Sequence, residues 1–490
     1  MIHQSRNRLA VLIFLCLAGG PALAQLQRTI VVDPIMDSAP DAGCTLREAI
    51  SVANAGLGDA LGCVSTELGS GFPLSYSIEV PALVYTLSGG IDDGNAGGDL
   101  DLLGEIRISG AGPEATVIDG NGIDRVLHLV TGRVELEDLR LTGGASKGCG
   151  GGIYGSDMVL RNVWVDNNQS SSPPGLGGGG ICADSGSIEV LDGSRVFANS
   201  TNNRGGGIMV SGDLVIADAR VEDNNSGGLG GGISTIGGRV TIYDSIISGN
   251  QADRGGGGLF LNASTQAAIA NSIVVHNRAT SGAGIARPRD GLETVSIANT
   301  IIAFNVAVSA TGQSSGGGIG GGGMVLTHVT VTGNIADVGA GIGGGFVFPD
   351  TSFRLANSIV AGNLDSEGVP SDCFGVLTSE RYNIIGGNRD CEFGFPAGDL
   401  NVNNDLVGTA ENPLDPLFRR GALEPAAGSP AADAVPAEHC VFLSTPANPL
   451  FASGDPVLTD QRGLPRGRPC DIGAFESTQL FVNGFEAPSL

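Results

Sequence analysis

A chain of 490 residues with 81 glycines, 41% hydrophobic and only 16% charged side chains is not collagen, which needs glycine at every third place. The hydrophobic share also argues against disorder. A formal charge of −25 argues against a nucleic-acid partner, which needs a basic stripe, and suits a soluble polar surface.

The chain opens with Arg6 and Arg8, an apolar run over residues 9–18, and Ala22-Leu23-Ala24. This is the pattern of an export signal cleaved after Ala24, so residues 1–24 are assigned to a signal peptide. The run is too short to span a bilayer. Eight cysteines then remain, an even number that reads as disulfides in an exported chain. Proximity pairs Cys44 with Cys63, Cys373 with Cys391 and Cys440 with Cys470, leaving Cys149 for Cys182. None of them has zinc spacing.

Residues 25–97 read as an N-terminal cap. Thr45-Leu46-Arg47-Glu48 is a capping box, and Leu46, Ala49, Ile50 and Ala53 follow at helical spacing. Cys44-Thr45-Leu46-Arg47-Glu48-Ala49 resembles the CSLREA domain found near the start of exported bacterial proteins, with Thr in place of Ser.

Residues 98–400 read as a solenoid. Eight glycine-rich openings begin at Gly150, Gly178, Gly205, Gly230, Gly256, Gly282, Gly316 and Gly339, each followed by an aliphatic. Eight closings fall at Asn167, Asn199, Asn224, Asn250, Asn277, Asn305, Asn334 and Asn363, from 25 to 32 residues apart. A unit that short cannot bury its own apolar face and must stack on its neighbours. Two or three short alternating strands per unit, without helical periodicity, predict a right-handed parallel β-helix of roughly eleven coils, ~50 Å long. The closing asparagines are read as structural. They tolerate left-handed backbone angles at a turn, and their amides can bond from coil to coil as a ladder.

The glycine–aliphatic openings and Phe197-Ala198-Asn199 also resemble the repeats of chlamydial polymorphic outer-membrane proteins. The pectin-lyase-like superfamily, with its polysaccharide lyases and hydrolases, shares the expected architecture. Beyond it, Asp415-Pro416-Leu417, the run at residues 427–433, Asp460-Gln461-Arg462-Gly463 and Cys470-Asp471-Ile472-Gly473-Ala474-Phe475-Glu476 resemble a choice-of-anchor Q region. Residues 401–476 are expected to form a loop-rich C-terminal cap that blunts the last coil's open edge. Residues 477–490 are a separate tail resembling short Gly-Phe-Glu endings of other exported proteins.

Catalytic side chains are not expected to converge. Asp92-Asp93, followed by Asp99 and Asp101, is the one calcium candidate, and a surface-loop role is preferred there. Asp166 and Asp223 both precede a closing Asn but lie two coils, about 10 Å, apart. His128, His276 and His328 are read as exposed positions with no carboxylate at a matching place next door. Alternation with Val163 and Val165 turns Trp164 outward, to stack on a sugar or partner or to pack under a loop. Lys147 is the only lysine, which nearly excludes a lysine base.

The expectation is therefore an exported, monomeric, non-catalytic β-helix protein without a cofactor. It sits outside, or on the outer surface of, a bacterium of Gram-negative type. It binds a cell-surface or matrix component, polysaccharide included, through loops such as 170–176 and 287–292. The alternatives are a polysaccharide lyase or glycoside hydrolase, and a passive spacer. Three acids, or acids with an arginine, within about 6 Å on one face would favour the enzyme.

Overall fold

The computed structural model describes residues 26–476 apart from 36, 38–42, 69–73, 92–94, 172, 174, 289–294, 345–352, 394–403, 410, 419–422, 427 and 444–447. The expected leader, Asp92-Asp93 and the tail lie outside the described residues.

Short runs in which aliphatics alternate with polar residues form strands, each stacking in parallel on its equivalent one coil later. The chain is an all-β parallel β-helix of about eleven turns. Three strands per coil build three faces, named here by their order after the glycine run. The opening sheet contains Ile181–Ala183, Ile208–Val210 and Ile233–Thr235. The middle sheet contains Ser187–Leu191, Asp213–Ala217 and Arg239–Tyr243. The closing sheet contains Arg195–Phe197, Arg220–Glu222 and Ile246–Ser248.

Inward side chains line up as columns. Leu160, Val190, Ile216, Ile242, Ile269, Ile297 and Leu326 run through the middle sheet, all fully buried. Val165, Val196, Val221, Ile247, Val274 and Ile302 do the same in the closing sheet. Each such side chain contributes roughly 1.5–3 kcal/mol of burial, which is why one aliphatic per strand suffices to hold the stack.

The corners explain the glycines. Gly205 has φ +66°, and a Cβ on Gly206 would strike the carbonyl of Gly231 in the next coil. The asparagine ladder runs one place away from expectation in its first coil. Asn168, not Asn167, donates through Nδ2 to Asn199 Oδ1 at 3.1 Å, and Asn199 to Asn224 at 3.0 Å. The same bond repeats through Asn250, Asn277, Asn305, Asn334 and Asn363. Each Oδ1 also accepts the backbone N–H of the preceding asparagine, as Asn277 does from Asn250 at 3.0 Å. Asn167 occupies the left-handed corner before the ladder, at φ 52°, where later coils place Ala198, Asp223 and His276. The ladder asparagines therefore do not supply the left-handed turn. The residue before each of them does, and two adjacent asparagines concealed the difference. The ladder ends on Asp372, whose Oδ1 accepts from Asn363 N and Nδ2 at 2.8 Å. Burial outweighs these bonds and raises its carboxyl to about 6.

Leu46–Asn54 forms the capping helix. Thr45 accepts from Glu48 N at 3.2 Å, and Glu48 returns the bond to Thr45 N at 2.8 Å. Its buried face, Leu46, Ala49, Ile50 and Ala53, covers the entrance. The parallel stack already includes Leu26–Val31, Leu74–Glu79 and Leu83–Thr86, ahead of residue 98. Disulfides join Cys44 to Cys63, Cys149 to Cys182, Cys373 to Cys391 and Cys440 to Cys470.

The start of the C-terminal region covers the last coil's edge, where Leu406–Val407 pairs with Ile384–Ile385. The rest packs along the side of the solenoid, bonding Asn299 to Thr459, Thr327 to Leu443, Thr330 to Ala474 and Asn357 to His439. The physical reason is the outer surface there, where Ile301 and Ala303 pack with Ala474, and Ile359 and Ile384 with Val435 and Ile472. The anchor-like residues hold this contact. Arg462 bonds Asp460, Glu424 and the carbonyl of Glu476, and its guanidinium covers Phe475 at 4.7 Å. Arg466, fully buried, bonds Asn299 Oδ1 at 3.0 Å and Gly473 O at 2.7 Å, and pairs with Glu476 at 3.3 Å.

Candidate acid–base site on the opening sheet

The capping helix positions the site. Arg47 pairs with Asp37 and donates to the carbonyls of Gly97, Gly98 and Asp99 at 3.2, 2.9 and 2.7 Å. This pins the entry into the strand Leu100–Leu103. Leu100 and Leu102 point into the core, so Asp99 and Asp101 point out of it, and the cap buries both carboxylates. Asp101 Oδ2 accepts Asn95 N at 2.8 Å.

One coil later, Leu127–Thr131 repeats the pattern with His128 in register with Asp101. His128 Nδ1 lies 2.9 Å from Asp101 Oδ1, and the imidazole side chain is 18% exposed. A further coil on, Tyr154 stacks on His128 with centroids 5.3 Å apart and planes at 16°. Tyr154 donates to Asp184 Oδ2 at 2.9 Å, and burial, with that bond, raises its phenol above the usual range. Arg125 lies 5.2 Å over the Tyr154 ring and places Nε 3.5 Å from Asp99 Oδ2.

The expectation that His128 lacks a neighbouring carboxylate is thus corrected. Asp99, Asp101 and His128 offer ligand atoms all within 4.8 Å of one another, with Arg125 beside them. Leu100-Asp101-Leu102 and Leu127-His128-Leu129 are the same apolar–polar–apolar triplet in sequence, and that likeness is the signal of their pairing. A mixed nitrogen and oxygen set is not a calcium donor set. Arg125 already supplies positive charge to Asp99, and Asp101 already engages His128.

The other candidates stay apart. His328, expected to be exposed, is fully buried, with Nε2 3.0 Å from Asn357 Nδ2, and desolvation with the nearby Arg466 lowers its pKa well below the ordinary value. His276 stands on a corner and stacks on Phe304 at 5.4 Å. Asp166 is held bidentately by Arg140 at 2.7 and 2.6 Å, while Asp223 is a left-handed corner residue, so the two are not equivalent positions. Trp164 points outward but carries a cover from the next coil rather than from a loop. Arg195 lies 5.2 Å over its ring and Phe197 meets it edge-on at 6.1 Å, which leaves it a poor sugar platform.

The family described as right handed beta helix region matches residues 109–274. Among solved structures, the chain is similar to the A-module of mannuronan C-5 epimerase AlgE6 from Azotobacter vinelandii. Identity is 14% and TM-score 0.31, over 74% of this chain and 93% of that one. No curated protein sequence matches the chain. The fold thus defines a right-handed parallel β-helix. The similar module belongs to a polysaccharide-acting enzyme, and against that finding the expectation of a chain without enzymatic activity is withdrawn. The likeness is too slight to carry an activity over, so any activity must be argued from the side chains themselves.

Proposed function

We propose that this is an exported protein that acts on an extracellular polysaccharide by acid–base chemistry at His128. Four disulfides and the export-type leader support the location. The observation that carries the chemistry is the 2.9 Å contact of a partly exposed imidazole with a buried carboxylate. An ionised carboxylate only accepts, so Nδ1 donates to Asp101 and Nε2 is the atom able to take or deliver a proton. Asp101 fixes the ring's tautomer and stabilises it when charged. Tyr154 stacks on the ring and fixes its plane, and its hydroxyl is a second proton carrier on this face.

The test is turnover of a panel of polysaccharides by the purified mature protein, reading both new reducing ends and unsaturated products. His128→Asn and Asp101→Asn are expected to lower turnover by about 10²–10⁴-fold with circular dichroism unchanged. Equal turnover by His128→Asn, or none by the native protein, removes this reading. Binding without turnover returns the face to adhesion.

A further inference from the structure

We infer that the Cys149–Cys182 disulfide is a positioning element of the acid–base site: it holds Tyr154 in place, and the oxidised chain is the working one. This rests on the acid–base reading and supplies its regulation. Tyr154 faces outward between His128 and Cys182, its partners in register one coil before and one coil after. The outward column then continues to Met209. Cys182 and Met209 point away from the core, yet both are fully buried, in a cluster with Cys149 that is separate from the core. Cys149 Sγ lies 4.0 Å from Met209 Sδ, and Cys182 Sγ lies 3.9 Å from it. The bond thus carries Cys149 over the outer face as far as the second coil beyond Tyr154, and Tyr154 packs against this sulfur cluster. The backbone on both sides of Cys149 borders the site as well. A Cβ on Gly150 would lie 2.9 Å from that of Tyr154, and one on Gly148 would lie 3.9 Å from Arg125 Nη2.

The stack does not need this bond. Gly150, Gly152 and Ile153 donate to the carbonyls of Gly177, Gly180 and Gly180 in the next coil at 3.1, 2.9 and 2.9 Å. Coils without cysteines are joined the same way, as Ile208 is to Gly232 at 2.8 Å. Of the four disulfides among the described residues, this one packs on Tyr154. His128 stacks on the phenol from the preceding coil, and the disulfide closes the following side. A displacement of about 1 Å in a group that carries a proton costs on the order of 10²-fold in rate, so this wall matters more to turnover than to folding. Closing the bond takes two electrons and two protons from the two thiols and passes them to an exchanging disulfide, which leaves as two thiols. Thiols persist in a reducing cytoplasm and disulfides form outside it, so the face is completed only after export.

Two double variants test this. Cys149→Ala with Cys182→Ala removes the bond, and Cys440→Ala with Cys470→Ala is the control. Their bonds span 33 and 30 residues and so constrain the unfolded chain about equally. The first should lower kcat by about 10–100-fold with KM within about twofold, and the control should not. Carbon-13 titration of the tyrosines should show the raised phenol of Tyr154 falling toward its ordinary value in the first variant alone. In the native chain, a dithiol that closes to its own cyclic disulfide should lower turnover in step with the appearance of thiol at Cys149, mapped by peptide mass. This arm decides the matter if the first variant does not fold. Unchanged kcat in the first variant, equal loss in the control, or turnover that survives reduction at Cys149 overturns the inference. Such a result alongside lost turnover in His128→Asn keeps the acid–base reading alone. A native protein without turnover removes the acid–base reading, and the Tyr154 titration then decides the positioning by itself.

Discussion

One outer face of this solenoid is two different surfaces. In the closing sheet, the earlier coils turn Arg140, Trp164, Arg195 and Arg220 outward, with Arg140 paired to Asp166 and the other two arginines sharing Glu222. The same column in later coils reads Ile246, Ile273, Ile301, Thr330 and Ile359. The C-terminal region packs on this later half, placing Leu423, Ala474 and Phe475 against Ile273, Ile301, Val275 and Ala303. Behind both halves the inward column is unchanged, valine or isoleucine in nearly every coil. Inward residues make the coil, and outward residues decide what the coil touches.

The sharpest break in that contrast is Arg466→Ala. It leaves Glu476 buried without its cation, and losing one partner of a buried pair costs about 3–5 kcal/mol. The expected result is a C-terminal region cut rapidly by protease while the solenoid's circular dichroism persists. Resistance equal to the native chain would show that apolar contacts alone hold the region.

A second test uses His328, which sits beneath the docked region beside Arg466. Its folded pKa lies well below the unfolded value of about 6.5. The unfolded state therefore binds the proton first, so this group's stabilisation is complete above about pH 6.5 and is lost as pH falls below it. Asn299 and Asn357 fill the same left-handed corner in adjacent coils, so His328→Asn fits the backbone. Hydrogen exchange at the contact should match in native and variant chains at pH 7 and diverge on acidification, the native opening more. Parallel behaviour throughout would remove His328 from the acid response. The smallest effect is expected in the uncovered half. Arg161 and Asp192 pair at 2.7 Å with both side chains exposed, and Arg161→Ala should shift denaturant stability by no more than about 0.5 kcal/mol.

Much of the fold was legible because its causes are local and repeated. The glycine runs mark corners where neighbouring backbones touch, and Thr45 with Glu48 marks a helix start whatever lies beyond it. The ladder was legible to within one residue. Asn167 and Asn168 are chemically identical, and only the pairing of Val165 with Val196 sets which of them points inward. The candidate site was not read. Asp101 and His128 lie in coils before the glycine–asparagine rhythm begins, where no corner marks equivalent positions.

By itself, then, the sequence determined the coil: strands of alternating aliphatics, left-handed corners and an amide ladder, each a nearest-neighbour matter. The tertiary structure alone decided where the coil meets something else. Register across 27 residues joined His128 to Asp101. Folding back across 144 residues put Ala474 on Thr330 rather than over the open edge. Such contacts depend on which outward side chains the stack brings side by side. A local pattern such as the two leucine-flanked triplets shows that strands are alike without fixing which coils meet.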